Sequence, residues 1–107
     1  MKLLLAMINN DDAQKVMKSL VKEKIQVTKI ASTGGFLKTG NTTLLIGVAD
    51  DIVEKALNII QENSKSRKKI VSDAMTSEFG MFSGNPMEVT IGGGTIFILD
   101  VLDYKKI

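Results

Sequence analysis

The chain has 107 residues, which is the length of a single compact domain. Its 14 basic and 12 acidic residues leave a net charge of +2, too balanced to indicate a nucleic-acid polymer or a membrane as partner. His and Cys are absent, which excludes disulfide frameworks, thiol nucleophiles, imidazole catalysis and soft-metal sites. We therefore expect one domain over residues 1–107, without metal or cofactor, and a binding or signalling module rather than an enzyme.

The apolar run Leu3–Ile8 predicts a buried first strand. A secretory core needs about 7–15 apolar residues and a spanning helix about 20, and this run has six before polar Asn9. We therefore expect a cytoplasmic protein that does not enter a membrane.

A helix is predicted next, with Asn10 or Asp11 as its N-cap. Its apolar positions recur at helical spacing and form one stripe, namely Ala13, Val16, Met17, Leu20 and Val21.

Residues Ile25–Ser32 are rich in β-branched side chains and predict a second strand, and Thr42–Ala49 predicts a third. The intervening turn, 33–41, resembles a phosphate-binding loop in its glycines, but Asn41 stands where that loop needs Lys. Two interpretations of the turn stay open. It is either a long hairpin turn, or a ligand-binding loop that presents Phe36, Leu37 and the Asn41 amide to a base.

The second half predicts a helix and three strands. Asp50 or Asp51 is expected to cap the helix, and strands are predicted at 67–71, 87–91 and 95–101. The basic run Arg67–Lys69 fits either an anion contact or a solvated junction. The loop 73–86 is long enough to consider for function, and Gly92–Gly94 predicts a tight hairpin or bulge.

This order predicts an α+β fold of the ferredoxin-like type, βαββαβ with an added strand. Two helices cover one face of such a sheet, so the apolar second face favours an oligomer in which sheet faces pack together. A monomer with a half-exposed sheet is the alternative.

The block Thr28–Thr43, TKIASTGGFLKTGNTT, resembles the PII-like cyclic di-AMP receptor family. The likeness extends to the opening strand, to Gly47-Val48 and to Val89–Phe97. It implies a PII-like homotrimer that binds cyclic di-AMP in clefts between subunits, without catalysis, and passes the signal through loop rearrangement to a downstream protein still unknown.

The resemblance also implies a ligand site, in which Asn41 and the backbone at Gly47 bind adenine while Phe36 and Leu37 pack on it. Two members of the site differ from typical family residues, because Gln26 replaces an Arg and Lys106 replaces a C-terminal Gln. The complete set of candidate residues is Gln26, Thr28, Thr33, Gly35, Phe36, Leu37, Asn41, Gly47, Gly92 and Lys106.

Three other functions stay open at this point. The chain could be a PII-like sensor of another adenine nucleotide such as ATP, a small oligomeric enzyme, or an adaptor without a ligand. The loop 73–86 also lacks the proline-rich signatures usual in the resembling family.

Overall fold

The computed structural model describes residues 1–30, 40–71 and 87–107. Strands and helices follow one another in the order β1 (Lys2–Asn9), α1 (Asn10–Lys22), β2 (Thr28–Ile30), β3 (Asn41–Val48), α2 (Val53–Asn63), β4 (Arg67–Val71), β5 (Met87–Ile91) and β6 (Gly94–Asp100). A 3₁₀ turn, Asp50–Ile52, leads into α2.

Four strands form an antiparallel sheet in the order β2-β3-β1-β6. The connection β1-α1-β2 passes over β3, and the connection from β3 through α2 to β6 passes over β1. These are two split βαβ units, so the predicted α+β, ferredoxin-like fold is confirmed.

Two strands, not one, are added to the βαββαβ arrangement, and they lie at the predicted positions 67–71 and 87–91. Strands β4 and β5 form a separate antiparallel hairpin sheet between α2 and β6. Of the two alternatives predicted for Gly92–Gly94, the hairpin is wrong, because β5 pairs with β4 whereas β6 pairs with β1. The bulge stays a prediction. Two strands joined by glycines look alike in sequence whether they pair with each other or with distant strands.

The hydrophobic core lies between the helices and one face of the four-stranded sheet. Alternate residues of β1 and β3 point into it, as the period of two predicts. The fully buried large side chains are Leu4, Ile8, Val16, Leu20, Leu44, Ile46 and Ile60. Val21, predicted as part of the buried stripe, is 60% exposed because it lies about 100° around the helix from Leu20.

Both predicted helix caps are wrong. Helix α1 is capped by Asn9, whose side-chain oxygen accepts a hydrogen bond from the backbone N–H of Asp11 at 2.8 Å. Helix α2 has no side-chain cap. Asp50 instead pairs with the N-terminal amine of Met1, 2.8 Å away, because β1 begins beside the end of β3.

The second strand is shorter at its start than predicted. Ile25 does not join it, since its N–H bonds to the Leu20 carbonyl at 3.0 Å and its side chain is buried beneath the end of α1. Lys24 makes this reversal with a φ of 62°. Residues 31 and 32 of the predicted strand lie outside the described residues.

Candidate functional site

The candidate residues fall into two groups. Thr33, Gly35, Phe36 and Leu37 lie outside the described residues, as does the loop 73–86. The structure places the others, which are Gln26, Thr28, Asn41, Gly47, Gly92 and Lys106.

Three candidates share the sheet face that the helices leave uncovered, called here the open face. Asn41 lies opposite Asn9 in the ladder, Gly47 opposite Leu3, and Thr28 opposite Leu45. Each of these pairs alternates with positions that point into the core. The open face therefore presents polar groups from β2 and β3 on one surface.

Asn41 has the properties expected of a ligand-binding amide. It is half-buried at the first position of β3, where the strand leaves the segment 31–39. No side-chain hydrogen bond of Asn41 appears within the described part of the chain. A side-chain amide has two donors and an acceptor, which suit the edge of a base.

Asn41 and Gly47 are far apart within one subunit. They are six positions apart on one extended strand, and at the usual rise per residue this spans about 20 Å. A single adenine cannot contact both. A ligand that reaches both must be larger than one base, or it must contact Asn41 of one subunit and Gly47 of another.

Gly92 occupies a tight packing position. Its φ is +79°, and a Cβ there would collide with the Lys65 carbonyl oxygen and lie 2.6 Å from Nη1 of Arg67. At Gly47 a Cβ would meet only Cε of Met1, at 3.4 Å. The structure thus gives Gly92 a role in packing, whereas Gly47 leaves backbone accessible on the open face.

Gln26 and Lys106 are exposed. Gln26 lies between the end of α1 and β2, two residues before Thr28. Lys106 belongs to the segment after β6, in which every residue from Leu102 to Ile107 is exposed. One subunit alone therefore does not enclose either side chain in a site.

Three residues near the candidate site, Asn10, Thr42 and Asp12, were not among the residues predicted for it. The N–H of Asn10 donates to the carbonyl of Gly40 at 2.7 Å, and the Thr42 hydroxyl donates to the Asn10 side-chain oxygen. Asp12 lies two residues further along α1 and is only 4% exposed. These contacts join residues about 30 or more positions apart, so no local spacing could have indicated them.

The basic run predicted as an anion contact or a solvated junction includes an ion pair between Arg67 and Asp12. Arg67 donates from Nη2 and Nη1 to the two carboxylate oxygens of Asp12, at 2.9 and 3.3 Å. These hydrogen bonds raise the pKa of Arg67 above its ordinary value. The anion that Arg67 contacts is therefore part of the protein.

A groove of about 680 Å³ lies on the other side of the sheet, between α2 and β6. Its apolar wall is formed by Ile8, Leu57, Ile60 and Ile96, and its polar rim by Ser64–Ser66. It includes none of the described candidate residues. The groove and the open face are therefore separate surfaces.

Within residues 1–30, 40–71 and 87–107, no cluster of three or more Asp, Glu, His or Cys residues is arranged to hold a metal ion. No helix in the same ranges has the length and hydropathy needed to cross a bilayer.

Comparison with known proteins shows similarity to one family and to solved structures. The model of the cyclic-di-AMP receptor family matches residues 1–107. A crystal structure of a functionally unknown protein from Pediococcus pentosaceus ATCC 25745 superposes with a TM-score of 0.79 at 29% sequence identity. The superposition covers 99% of this chain and 96% of that chain, so the whole fold is shared.

Proposed function

This chain belongs to the cyclic-di-AMP receptor family, and we propose that it binds cyclic di-AMP in clefts between the subunits of a homotrimer. As a member of a receptor family, the chain is a binding and signalling protein. The observation that carries the finer proposal is the position of Asn41, Thr28 and Gly47 on one uncovered sheet face.

The open face has the composition of an interface. Leu3, Leu5 and Met7 of β1 are half-buried there, and Phe97 and Leu99 of β6 are each 42% exposed. Contiguous apolar surface of this kind is unfavourable in water and marks a site of association. Packing the open faces of three copies together buries these side chains and brings ligand-binding residues of neighbouring subunits close to each other.

The spacing of Asn41 and Gly47 supports a site shared between subunits. About 20 Å separates them within one chain, which is too far for one adenine. A neighbouring subunit supplies the missing side of the cleft. Cyclic di-AMP has two adenines, and we propose that the Asn41 amide binds the edge of one base while Phe36 and Leu37 pack on it.

The negative charges of the ligand are neutralised by groups close to its binding site. The net charge of +2 provides little long-range attraction for a dianion, so backbone amides and nearby lysines supply it. Gln26 is neutral, so it can donate a hydrogen bond to phosphate but lacks the positive charge and the bidentate geometry of Arg. Lys106, on the exposed C-terminal segment, is the cation that a neighbouring subunit can offer in its place.

Signalling then follows from loop rearrangement. A ligand shifts a conformational equilibrium only by the difference in its affinity for the two states. We propose that cyclic di-AMP binds better to one arrangement of segments 33–41 and 73–86, and that this arrangement gains or loses a downstream protein partner.

A nucleotide panel tests the proposal. The intact protein is titrated with cyclic di-AMP, cyclic di-GMP, ATP, ADP and AMP while its Tm and binding heat are measured. Selective binding raises the Tm as ligand concentration exceeds Kd, and only cyclic di-AMP is expected to do this at micromolar concentration. A response to ATP alone would identify a different adenine-nucleotide sensor. Turnover of any nucleotide would indicate an enzyme, and a flat response an adaptor without a ligand.

A further inference from the structure

The first turn of α1, residues Asn10–Asp12, contacts both parts of the chain that carry the proposed signalling loops. On one side Asn10 contacts Gly40 and Thr42, at the start of β3. Its N–H bonds to the Gly40 carbonyl at 2.7 Å, and its side-chain oxygen accepts from the Thr42 hydroxyl. Thr42 is 6% exposed whereas Asn10 is exposed, so this contact is partly buried.

On its other side the same turn holds the β4–β5 hairpin. Asp12 receives both hydrogen bonds from Arg67, the first residue of β4. The planar guanidinium fixes orientation as well as distance, which a single hydrogen bond does not. Nη1 of Arg67 also donates to the Lys65 carbonyl at 3.1 Å, so the start of β4 is held in position by two contacts.

Gly92 completes this junction at the end of β5. It lies so close to the Lys65 carbonyl and Arg67 that no side chain fits between them. The next N–H, of Gly93, bonds to the carbonyl of Ser64 at 2.5 Å. Both ends of the hairpin that carries segment 72–86 therefore meet at the Asp12–Arg67 pair.

We infer that the first turn of α1 couples the start of β3, residues 40–42, to the β4–β5 hairpin, with Asp12 and Arg67 as the positioning residues. Asp12 is buried, so displacing Arg67 leaves a charge without its partner, which is strongly unfavourable. A shift of Gly40 displaces Asn10, and Asp12 on the same helical turn transmits the shift to Arg67. The signalling role of this coupling rests on the proposed function, but the coupling itself exists without ligand.

Hydrogen exchange of the intact protein without nucleotide tests the coupling. Arg67→Lys keeps the positive charge but loses the two parallel hydrogen bonds of the guanidinium to Asp12. Thr42→Val keeps the shape of the side chain but loses its hydroxyl. Each is expected to speed exchange roughly two- to tenfold at both places, the amides of 40–43 and those of β4 and β5. If the two sites are coupled, the increase in exchange rate in the double variant should differ by about twofold or more from the product of the increases in the two single variants.

Matched controls separate coupling from general loosening. Lys65→Gln removes a nearby exposed cation but leaves the carbonyl that Arg67 contacts, and Thr95→Val removes an exposed hydroxyl from β6. Neither should alter exchange at the distant segment. The inference is overturned if Arg67→Lys affects only the hairpin and Thr42→Val only residues 40–43, or if the controls act equally. Asp12→Asn provides the same test should Arg67→Lys not fold.

A second arm with cyclic di-AMP distinguishes this inference from the proposed function. In the wild type the nucleotide should slow exchange in 31–43 and in the hairpin, whereas in Arg67→Lys only 31–43 should respond. If no wild-type amide responds to the nucleotide, the proposed function fails, while the result without ligand still decides the coupling.

Discussion

Asn9 and Asn41 lie opposite each other in the β1–β3 ladder, at the point where β1 continues into α1. The Asn9 side chain is committed to capping α1, through its hydrogen bond from the Asp11 N–H. Asn41 therefore lies beside the start of α1 and directs its amide onto the open face. The two asparagines have the same chemistry but different roles, which makes them a useful pair for substitution.

Replacing Asn41 by Ala should weaken cyclic di-AMP binding by on the order of 1–3 kcal/mol, because polar groups on a buried base lose their partners. The Tm without ligand should hardly change, since Asn41 is only half-buried. Calorimetric titration measures the affinity. Asn58→Ala, at an exposed position on α2, is the matched control and should bind as the wild type does. Wild-type affinity in Asn41→Ala would remove Asn41 from the site.

Replacing Asn9 by Ala should have the opposite effect to Asn41→Ala, because it should lower the stability of the fold rather than the affinity for the nucleotide. Loss of an N-cap costs about 0.5–2 kcal/mol of the free energy of unfolding. Asn9→Ser retains an oxygen able to cap and should recover most of that loss. Urea unfolding followed by circular dichroism measures the difference, and equal stability of the two variants would contradict the assigned cap.

Gly92→Ala should destabilise the protein by about 1–3 kcal/mol, because it combines a positive φ with a collision at the Lys65 carbonyl. Gly47→Ala is the matched control, since its new methyl group meets only the end of the Met1 side chain. Thermal unfolding of both variants checks this. A Gly92→Ala variant as stable as Gly47→Ala would show that the junction at Arg67 is looser than described.

Leu99→Asp and Ile98→Asp should differ in their effect on subunit association. The two residues are neighbours on β6 and comparably exposed, at 42% and 51%, but the ladder puts Leu99 opposite Leu3 on the open face and Ile98 opposite Leu4. A charge at Leu99 should shift the proposed trimer to monomer, because an unpaired charge is costly to bury. Sedimentation velocity measures the species. Dissociation by Ile98→Asp alone would place the interface on the other face.

Asp50 should titrate at a lower pH in the folded protein than in the unfolded one. Its hydrogen bond from the N-terminal amine lowers its pKa below the ordinary value of 3.8. Because the pKa of Asp50 is lower in the folded state, ionised Asp50 stabilises the fold at pH values above its pKa in the unfolded chain. This contribution is lost as the pH falls through the pKa of Asp50 in the folded protein. Carboxyl NMR between pH 2 and 6 follows it. Acetylating the amine should return the pKa of Asp50 towards 3.8, and no change would contradict the pairing.

The order of strands and helices could be predicted from sequence because each element carries its own period. Leu4, Ala6 and Ile8 alternate as a strand facing a core does, and Val16 and Leu20 recur as a helix does. The caps could not be predicted equally well. Asn9, Asn10 and Asp11 are all good capping residues, and the selection among them depends on where β1 stops pairing with β3.

The candidate site is predicted from the contiguous Thr28–Thr43 block, whose likeness to a receptor family is specific, and its ligand contacts stay a prediction. The open face shared by Asn41, Thr28 and Gly47 follows from strand register. The Asp12–Arg67 pair could not be predicted, since 55 positions separate its members. Nor could the packing role of Gly92, which depends on how near the Lys65 carbonyl comes.

The sequence by itself determined that this is one small α+β chain, nearly neutral, without His or Cys, and similar to a receptor family throughout. These properties depend on composition and local periodicity, which are readable along the chain. Tertiary structure alone decided that β4 and β5 form their own sheet, and that the first turn of α1 joins their hairpin to Gly40. Hydrogen bonds and ion pairs between distant residues depend on the three-dimensional path of the backbone, which no local pattern specifies.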